Sequence, residues 1–473
     1  MDFSNFLKMQ QEISLMVLFL ILIIYDIFGN VHSRKWLHLT TCILFGIHTV
    51  IGFFVSSEGV AFGGMYVTSA MTVMMKNILN IATCFVLMQS GQWLNSEPTI
   101  KQREGEFYTL TTITLLGMYL MISASNFMML YISIETAALP LACLTAYNKY
   151  KECSAEAGAK FILISALSSG IMMFGLSYLY GATGTLYFSD LSALISNNPM
   201  ILLGFVFFFA GLAFKISLVP FHLWTADVYE GAPTGITAYL SVVSKGAACF
   251  VLMFTLYHVF GNIETVWYQM LWGLSVITII IGNLFAIRQK DIKRFFAFSS
   301  ISQAGYIMLG IMGGTEQGIT ATVYYVFVYM FSNLAAFGVI TSVENQSGRT
   351  DIAAYNGLYK SNPKLAFVMM IAVFSLAGIP PFAGFMSKFF IFAAAAAKGD
   401  YLLVFIALAN TVVSLYYYLM IVRAMFINQM DEQQAVGKIC TDSYNKISLT
   451  LCTVAIVLVG LVSGIYGYIK DLS

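Results

Sequence analysis

Four lysines stand inside stretches that are otherwise apolar enough to cross a membrane: Lys160, Lys215, Lys245 and Lys388. A lysine at mid-bilayer depth costs about 2.5–3.5 kcal/mol on insertion scales, so such residues are seldom kept without a function. Glu135, in YISIETAALPLACL, is the only charge between Asn126 and Lys149 and needs a basic partner or a proton. Lys215 is its expected partner. Lys215 precedes Pro220 and Lys388 follows Pro380-Pro381, so both lie beside residues that break helices. Ionisable groups on broken helices at membrane depth can hold and pass a proton or another cation, because moving one charge alters the proton affinity of its neighbour.

Weaker candidates surround this set. His222 follows the first break, and a histidine near its ordinary pKa makes a good relay. Asp227 and Glu230 come just after it, in a segment that reads as a turn into the next helix. Tyr324, Tyr325, Tyr329, Asn333, Ser302 and Gln303 supply hydroxyl and amide groups, with Tyr324 and Tyr325 as possible relay residues. Lys160 has Glu156 at i−4 and is open to a local ion pair. Lys76, near the start of its span, is expected to snorkel to the interface.

The elements that position these groups follow from composition. The 473 residues are 59% hydrophobic and 10% charged, whereas soluble domains carry about 25% charged residues. The chain therefore reads as an all-α polytopic membrane protein. Fourteen spans are expected, near residues 12–29, 37–55, 70–90, 107–123, 126–147, 157–180, 200–220, 235–257, 267–287, 294–313, 318–342, 363–397, 401–427 and 447–468. Helices 7 and 12 are discontinuous. The first apolar run lacks a basic lead-in with a small-residue cleavage site and reads as a retained helix.

The loops set the orientation. Those after odd-numbered spans carry sixteen Lys and Arg, from Arg34 to Lys446, against Lys8, Lys398 and Lys470 on the other face. That bias places both termini outside the cytoplasm. Paired interruptions in two halves suggest two inverted five-helix repeats. The expected organisation is three N-terminal helices (1–106), a first repeat of helices 4–8 (107–260), a second of helices 9–13 (261–430) and a C-terminal helix (431–473). Ala159-Lys160 precedes Ser168-Ser169 by nine residues and Tyr324-Tyr325 precedes Ser332-Asn333 by eight, a similar spacing that agrees with such a repeat.

Other chemistries find no support. A net charge of +1 gives no reason to expect nucleic acid. The seven cysteines are scattered without CxxC or Cys/His spacing and read as free thiols. No dinucleotide, P-loop, haem or iron–sulfur motif is present, so any redox chemistry falls to partners.

GLAFKISLVPFHLWTADVYEGAPTGITAYLSVVSK (Gly211–Lys245) closely resembles the N-subunit family of bacterial respiratory complex I, the NADH–quinone oxidoreductases. DIKRFFAFSSISQAGYIMLGI (Asp291–Ile311) and FSLAGIPPFAGFMSKFFIF (Phe374–Phe392) resemble the same family. The His222-Leu223-Trp224 pattern is shared with cation/proton antiporter subunits, but Val228-Tyr229-Glu230-Gly231-Ala232-Pro233 departs from them. The resemblance implies an antiporter-like proton channel of two half-channels in the bacterial inner (cytoplasmic) membrane. It implies lipid and other membrane-arm subunits as partners, with NADH, FMN, iron–sulfur clusters and quinone on those partners. It also implies proton-translocating roles for Glu135, Lys160, Lys215, Lys245 and Lys388. Tyr324 and Asn333 stand where many relatives carry His or Lys. A subunit of a multi-subunit Na⁺/H⁺ antiporter or a membrane-bound hydrogenase is the alternative.

Overall fold

The computed structural model describes residues 3–29, 35–55, 58–314, 316–429, 437–462 and 464–472; Arg34 lies outside them. Twelve helices among the described residues are long and apolar enough to cross a membrane. The two other expected spans take different forms. One is Glu104–Ile122, a full-length helix diluted by glutamates and threonines. The other is broken into Pro363–Ala377 and Ala383–Ala397, each too short to span alone.

The chain divides into two compact units. The first holds residues 1–87, 98–216 and 244–267. It contains α1 (Gln10–Phe28), α2 (Leu37–Phe54), most of α3 (Ala70–Leu94), α4 (Glu104–Ile122), α5 (Phe127–Thr145), α6 (Glu152–Thr183) and α7 (Pro199–Ile216). Side chains small enough to bring backbones together set its close crossings, as is usual where packing rather than water drives helix association. A Cβ on Gly117 of α4 would sit 2.6 Å from the Ala137 nitrogen, so α5 can lie against α4 only because that carbon is absent. Gly175 of α6 approaches the Gly204 carbonyl of α7 in the same way.

A two-stranded hairpin, β1 (Gly59–Ala61) and β2 (Tyr66–Thr68), joins α2 to α3. Val67 N donates to Ser123 O at 2.9 Å and Ser125 N to Met65 O at 2.8 Å. The next residue, Asn126, caps α5 by accepting from Met128 N.

The second unit holds residues 88–97, 217–243 and 268–473. It contains α8 (Leu223–Gly231), which is a helix where the sequence suggested a turn, and α9 (Thr234–Tyr239), opened by Pro233. A π-helical segment, Leu240–Ser244, follows and leads directly into α10 (Lys245–His258), whose residues belong to the first unit. The rest of the second unit comprises α11 (Glu264–Ile287, mostly), α12 (Ile292–Met312), α13 (Glu316–Ser347), α14 (Pro363–Ala377), α15 (Ala383–Ala397), α16 (Tyr401–Phe426), α17 (Ser443–Leu461) and α18 (Gly464–Leu472). Its core is α12 and α13, both almost wholly buried, with α14, α15 and α17 packed on α13. Such all-round burial explains why these two helices show no polar face.

Candidate functional site: two broken helices and their buried lysines

Both proline breaks are real. α7 ends at Ile216, and Ser217 takes φ 66°, the left-handed region, before the chain resumes as α8. α14 ends at Ala377 with Gly378 at φ 87°, and α15 begins at Ala383. Each break leaves carbonyl groups without helical partners, a serious cost in hydrocarbon unless protein or water satisfies them.

At the second break the protein supplies the donors. Lys388 Nζ donates to Ala377 O at 3.0 Å and lies 5.0 Å above the Tyr306 ring. Gln303 Nε2 reaches Leu376 O at 3.4 Å. Ser375 Oγ accepts from Gly384 N at 3.1 Å and lies 2.7 Å from Ser332 Oγ. A small cavity with room for about one water is lined by Gln303, Tyr325, Ser332, Ser375, Ser387 and Lys388. The ammonium therefore sits at the negative end of the α14 dipole, in a small site lined largely by polar side chains.

A chain of polar side chains extends from this cavity. Tyr325 donates to Gln303 Oε1, and Gln303 Nε2 lies 3.2 Å from Tyr418 Oη. Tyr418 meets Ser299 at 2.5 Å, and Tyr417 donates to Asn283 Oδ1 at 3.0 Å. On the other side Asn333 Nδ2 donates to Tyr329 Oη at 2.9 Å and to Ser241 Oγ at 2.8 Å. Ser241 belongs to the π-helical segment four residues before Lys245, and π-turns of this kind recur at functional sites. Tyr324 points elsewhere: its hydroxyl reaches Val459 O at 3.4 Å and its ring meets Phe390 and Tyr466.

In the first unit, Lys215 lies in the last turn of α7, where the helix dipole again favours a cation. Glu135 on α5 is within electrostatic reach of it. The direct pairing expected from the sequence is not formed, and Glu135 Oε1 is buried without a hydrogen-bond partner. The backbones explain the separation: α7 is docked on α6, with Ser168 Oγ donating to Gly211 O at 3.2 Å, while α5 is fixed by its seam with α4. Lys245 is 2% exposed and opens α10, which packs on α7 and α4. Lys160 is half exposed and pairs with Glu156 at 2.6 Å, the local i−4 partner. His222 Nδ1, in the second unit, is buried with no hydrogen-bond partner.

Two clusters were not foreseen. Arg294 binds Asp227 at 2.8 Å and Glu230 at 2.6 Å, and Lys293 donates to Ala232 O at 3.2 Å and approaches Glu344 at 3.4 Å. The segments Gly211–Lys245 and Asp291–Ile311 are thus joined by charge; acidic residues three apart with an Arg-containing helix start elsewhere were the available signal. Lys76 does not snorkel. It is 1% exposed and meets Glu12 at 2.5 Å, because a partner on α1 made it cheaper to stay inside than to reach the interface. No cluster of His, Cys, Asp and Glu among the described residues could hold a metal.

This architecture of broken helices and buried lysines defines an antiporter-like membrane subunit. The family described as NADH:quinone oxidoreductase/Mrp antiporter, TM, matches residues 124–414. The NADH-quinone oxidoreductase subunit N of Azobacteroides pseudotrichonymphae is 60% identical over all of this chain and 99% of its own length. That of Phocaeicola vulgatus is 51% identical with the same coverage. The chain belongs to the NADH-quinone oxidoreductase subunit N family. Among solved structures, a chain of respiratory complex I from Thermus thermophilus matches with a TM-score of 0.80 at 26% identity, covering 96% of this chain and 97% of that one. A chain of the Mrp complex from Dietzia shares the fold at 19% identity and a TM-score of 0.84, covering 100% of this chain and 97% of that one.

Proposed function

We propose that this chain is a proton-translocating membrane-arm subunit of an NADH–quinone oxidoreductase, with NADH, FMN, iron–sulfur and quinone chemistry confined to partner subunits. The hydrogen-bonded path from Ser241 through Asn333 and Tyr329 to the Lys388 cavity carries the reading, since it links the π-turn before Lys245 to the second break. Lys215 and Lys245 receive protons from one half-channel, Glu135 sets the charge state of Lys215, and Lys388 releases them from the other. Tyr325 and His222 serve as relay groups, and Lys160, tied to Glu156, tunes the entrance. The chain lies in a bacterial inner membrane with both termini on the non-cytoplasmic side, a placement supported by the bias of the loop lysines and arginines. The regions 107–260 and 261–430 act as the two half-channels, flanked by the helices of 1–106 and 431–473.

The relatives at 60% and 51% identity both carry the subunit N name, which favours complex I over a standalone antiporter. The test is the Lys215→Ala variant in the assembled complex, reconstituted in sealed vesicles. Quinone reduction coupled to proton uptake should fall sharply. Unchanged pumping per electron in that variant would overturn the reading.

A further inference from the structure

The three N-terminal helices lie outside the stretch matched by the antiporter family, and nothing in the path above uses them. They nevertheless enclose a full set of proton-active groups. Glu12, in the first turn of α1, and Lys76 of α3 are 2% and 1% exposed and meet at 2.5 Å. Tyr66 of β2 donates to Glu12 Oε2 at 3.0 Å and accepts from Lys76 Nζ at 3.2 Å, closing a triangle.

His48 of α2 stands within electrostatic reach of Glu12. Its Nδ1 lies 2.8 Å from Ser14 Oγ on α1, and its Nε2 lies 3.3 Å from Tyr119 Oη on α4. Around them Gln11 Nε2 donates to Asn77 Oδ1 at 2.9 Å and Asn80 Nδ2 to Thr49 Oγ1 at 2.7 Å. Two acceptors in this shell, Gln11 Oε1 and Asn80 Oδ1, are buried without a donor from the protein, a pattern that suits a bound water.

Stability alone does not account for the cluster. A buried ion pair is often no better than apolar residues of the same volume, and here the surroundings are membrane-spanning helices. An intramembrane charge pair with a histidine beside it has the parts of a relay.

We propose that Glu12, Lys76, Tyr66 and His48 form a proton-binding station in the N-terminal helices, separate from the series that runs from Lys215 to Lys388. A proton delivered by way of His48 and its hydroxyl neighbour Ser14 on α1 turns the Glu12 carboxylate into the acid while Lys76 stays an ammonium; the cluster gains one positive charge. Loss of that proton restores the Glu12–Lys76 pair and the original charge. No electron moves and no other reactant is needed.

The station has a mechanical route to the main site. Tyr66 sits on the strand whose neighbours Met65 and Val67 bond to Ser125 and Ser123, immediately before Asn126 caps the helix bearing Glu135. Tyr119 lies on α4, whose Gly117 forms the seam with α5 two residues earlier. Protonation of Glu12 weakens its charge-assisted bond from Tyr66 and so loosens the anchor of the Glu135 helix. The proposal rests on the proton-translocation reading, and Lys215→Ala complexes run alongside report that reading by itself.

The experiment uses the complete complex in sealed vesicles with three changes: Glu12→Gln, His48→Gln and the exchanged pair Glu12→Lys/Lys76→Glu. Abundance is read on native gels, turnover with an uncoupler present, and proton uptake per electron without one. Infrared difference spectra across a pH step report the carbonyl stretch of a protonated carboxyl group. In complexes that assemble, both Gln variants should keep uncoupled turnover and pump half or less of the protons per electron. Glu12→Gln should also lose a pH-dependent carboxyl band. The exchanged pair should restore abundance without restoring pumping, because the acid is moved away from His48. Should Glu12→Gln fail to assemble, His48→Gln, which leaves the ion pair intact, decides the matter. Wild-type pumping in an assembled His48→Gln complex, or an exchanged pair that recovers abundance and pumping together, would overturn the proposal.

Discussion

Lys388 Nζ and the Ala377 carbonyl oxygen lie 3.0 Å apart although the two residues belong to opposite sides of a helix break. The lysine thus does two jobs. It satisfies a carbonyl that the break has orphaned, and it sets its charged head on the wall of the adjoining cavity.

Replacing Lys388 by Met should expose both jobs. An unsatisfied buried carbonyl costs about 1–3 kcal/mol, so the assembled complex should melt at lower temperature but still form. Proton uptake per electron should be lost. Lys388→Arg should keep the charge and still pump poorly, since a planar fork of five donors does not fit a cavity of about one water. Thermal melting and vesicle pumping check the two effects separately.

Gly384→Ala should be worse than its size suggests. The added Cβ would stand 1.7 Å from Ser375 O, a backbone atom that cannot give way. Overpacking of this kind typically costs about 1–3 kcal/mol, and here it also opens the bond from Gly384 N to Ser375. We expect little assembled complex on a native gel; wild-type abundance would show that the break can shift.

Arg294→Ala removes the cation that Asp227 and Glu230 share. The loss should be smaller than for a sealed pair, because Arg294 is 31% exposed and water screens part of the interaction. Abundance should fall, and adding Asp227→Asn with Glu230→Gln should recover part of it. If the triple variant is no better than the single one, charge is not what joins these segments.

Asn333→Leu removes the donor shared by Ser241 and Tyr329. Each lost hydrogen bond is worth about 0.5–1.5 kcal/mol, which the well-packed α13 should tolerate. Abundance should therefore stay near normal while pumping per electron drops. Asn333→Asp tests the same point from the opposite side, since it supplies an acceptor where donors are required.

The sequence made the lysines and the breaks readable for a simple reason. Charge and proline are both costly inside a lipid-facing helix, so Lys215, Lys245, Lys388 and the prolines near two of them stand out against apolar neighbours. The two units and the seams within them were less visible, because Gly117 and Gly175 look like any other glycine until a neighbour's backbone arrives. The π-helical segment has no residue signal at all: Leu240-Ser241-Val242-Val243-Ser244 would pass as ordinary helix. Glu12 and Lys76 each lie near a helix end and look interfacial, and only their meeting across the fold makes them buried. Tyr306, Tyr417 and Tyr418 likewise carry no signal in the sequence until their hydroxyls are seen to meet Thr411, Asn283 and Ser299. Glu135 shows the converse case, a residue whose type was informative and whose expected contact was not made.

The glycines around the second break also set a direction. A Cβ on Gly378 would approach Lys388 Cδ to 2.9 Å, so the lysine stem already lies tight against that backbone. The adjoining cavity, with room for about one water, is bounded by Gln303, Tyr325 and Ser332 among others. A stem pressed against backbone on one side and a head group beside so small a space leave the side chain little freedom: at this break, crowding around a glycine governs where a charge can rest.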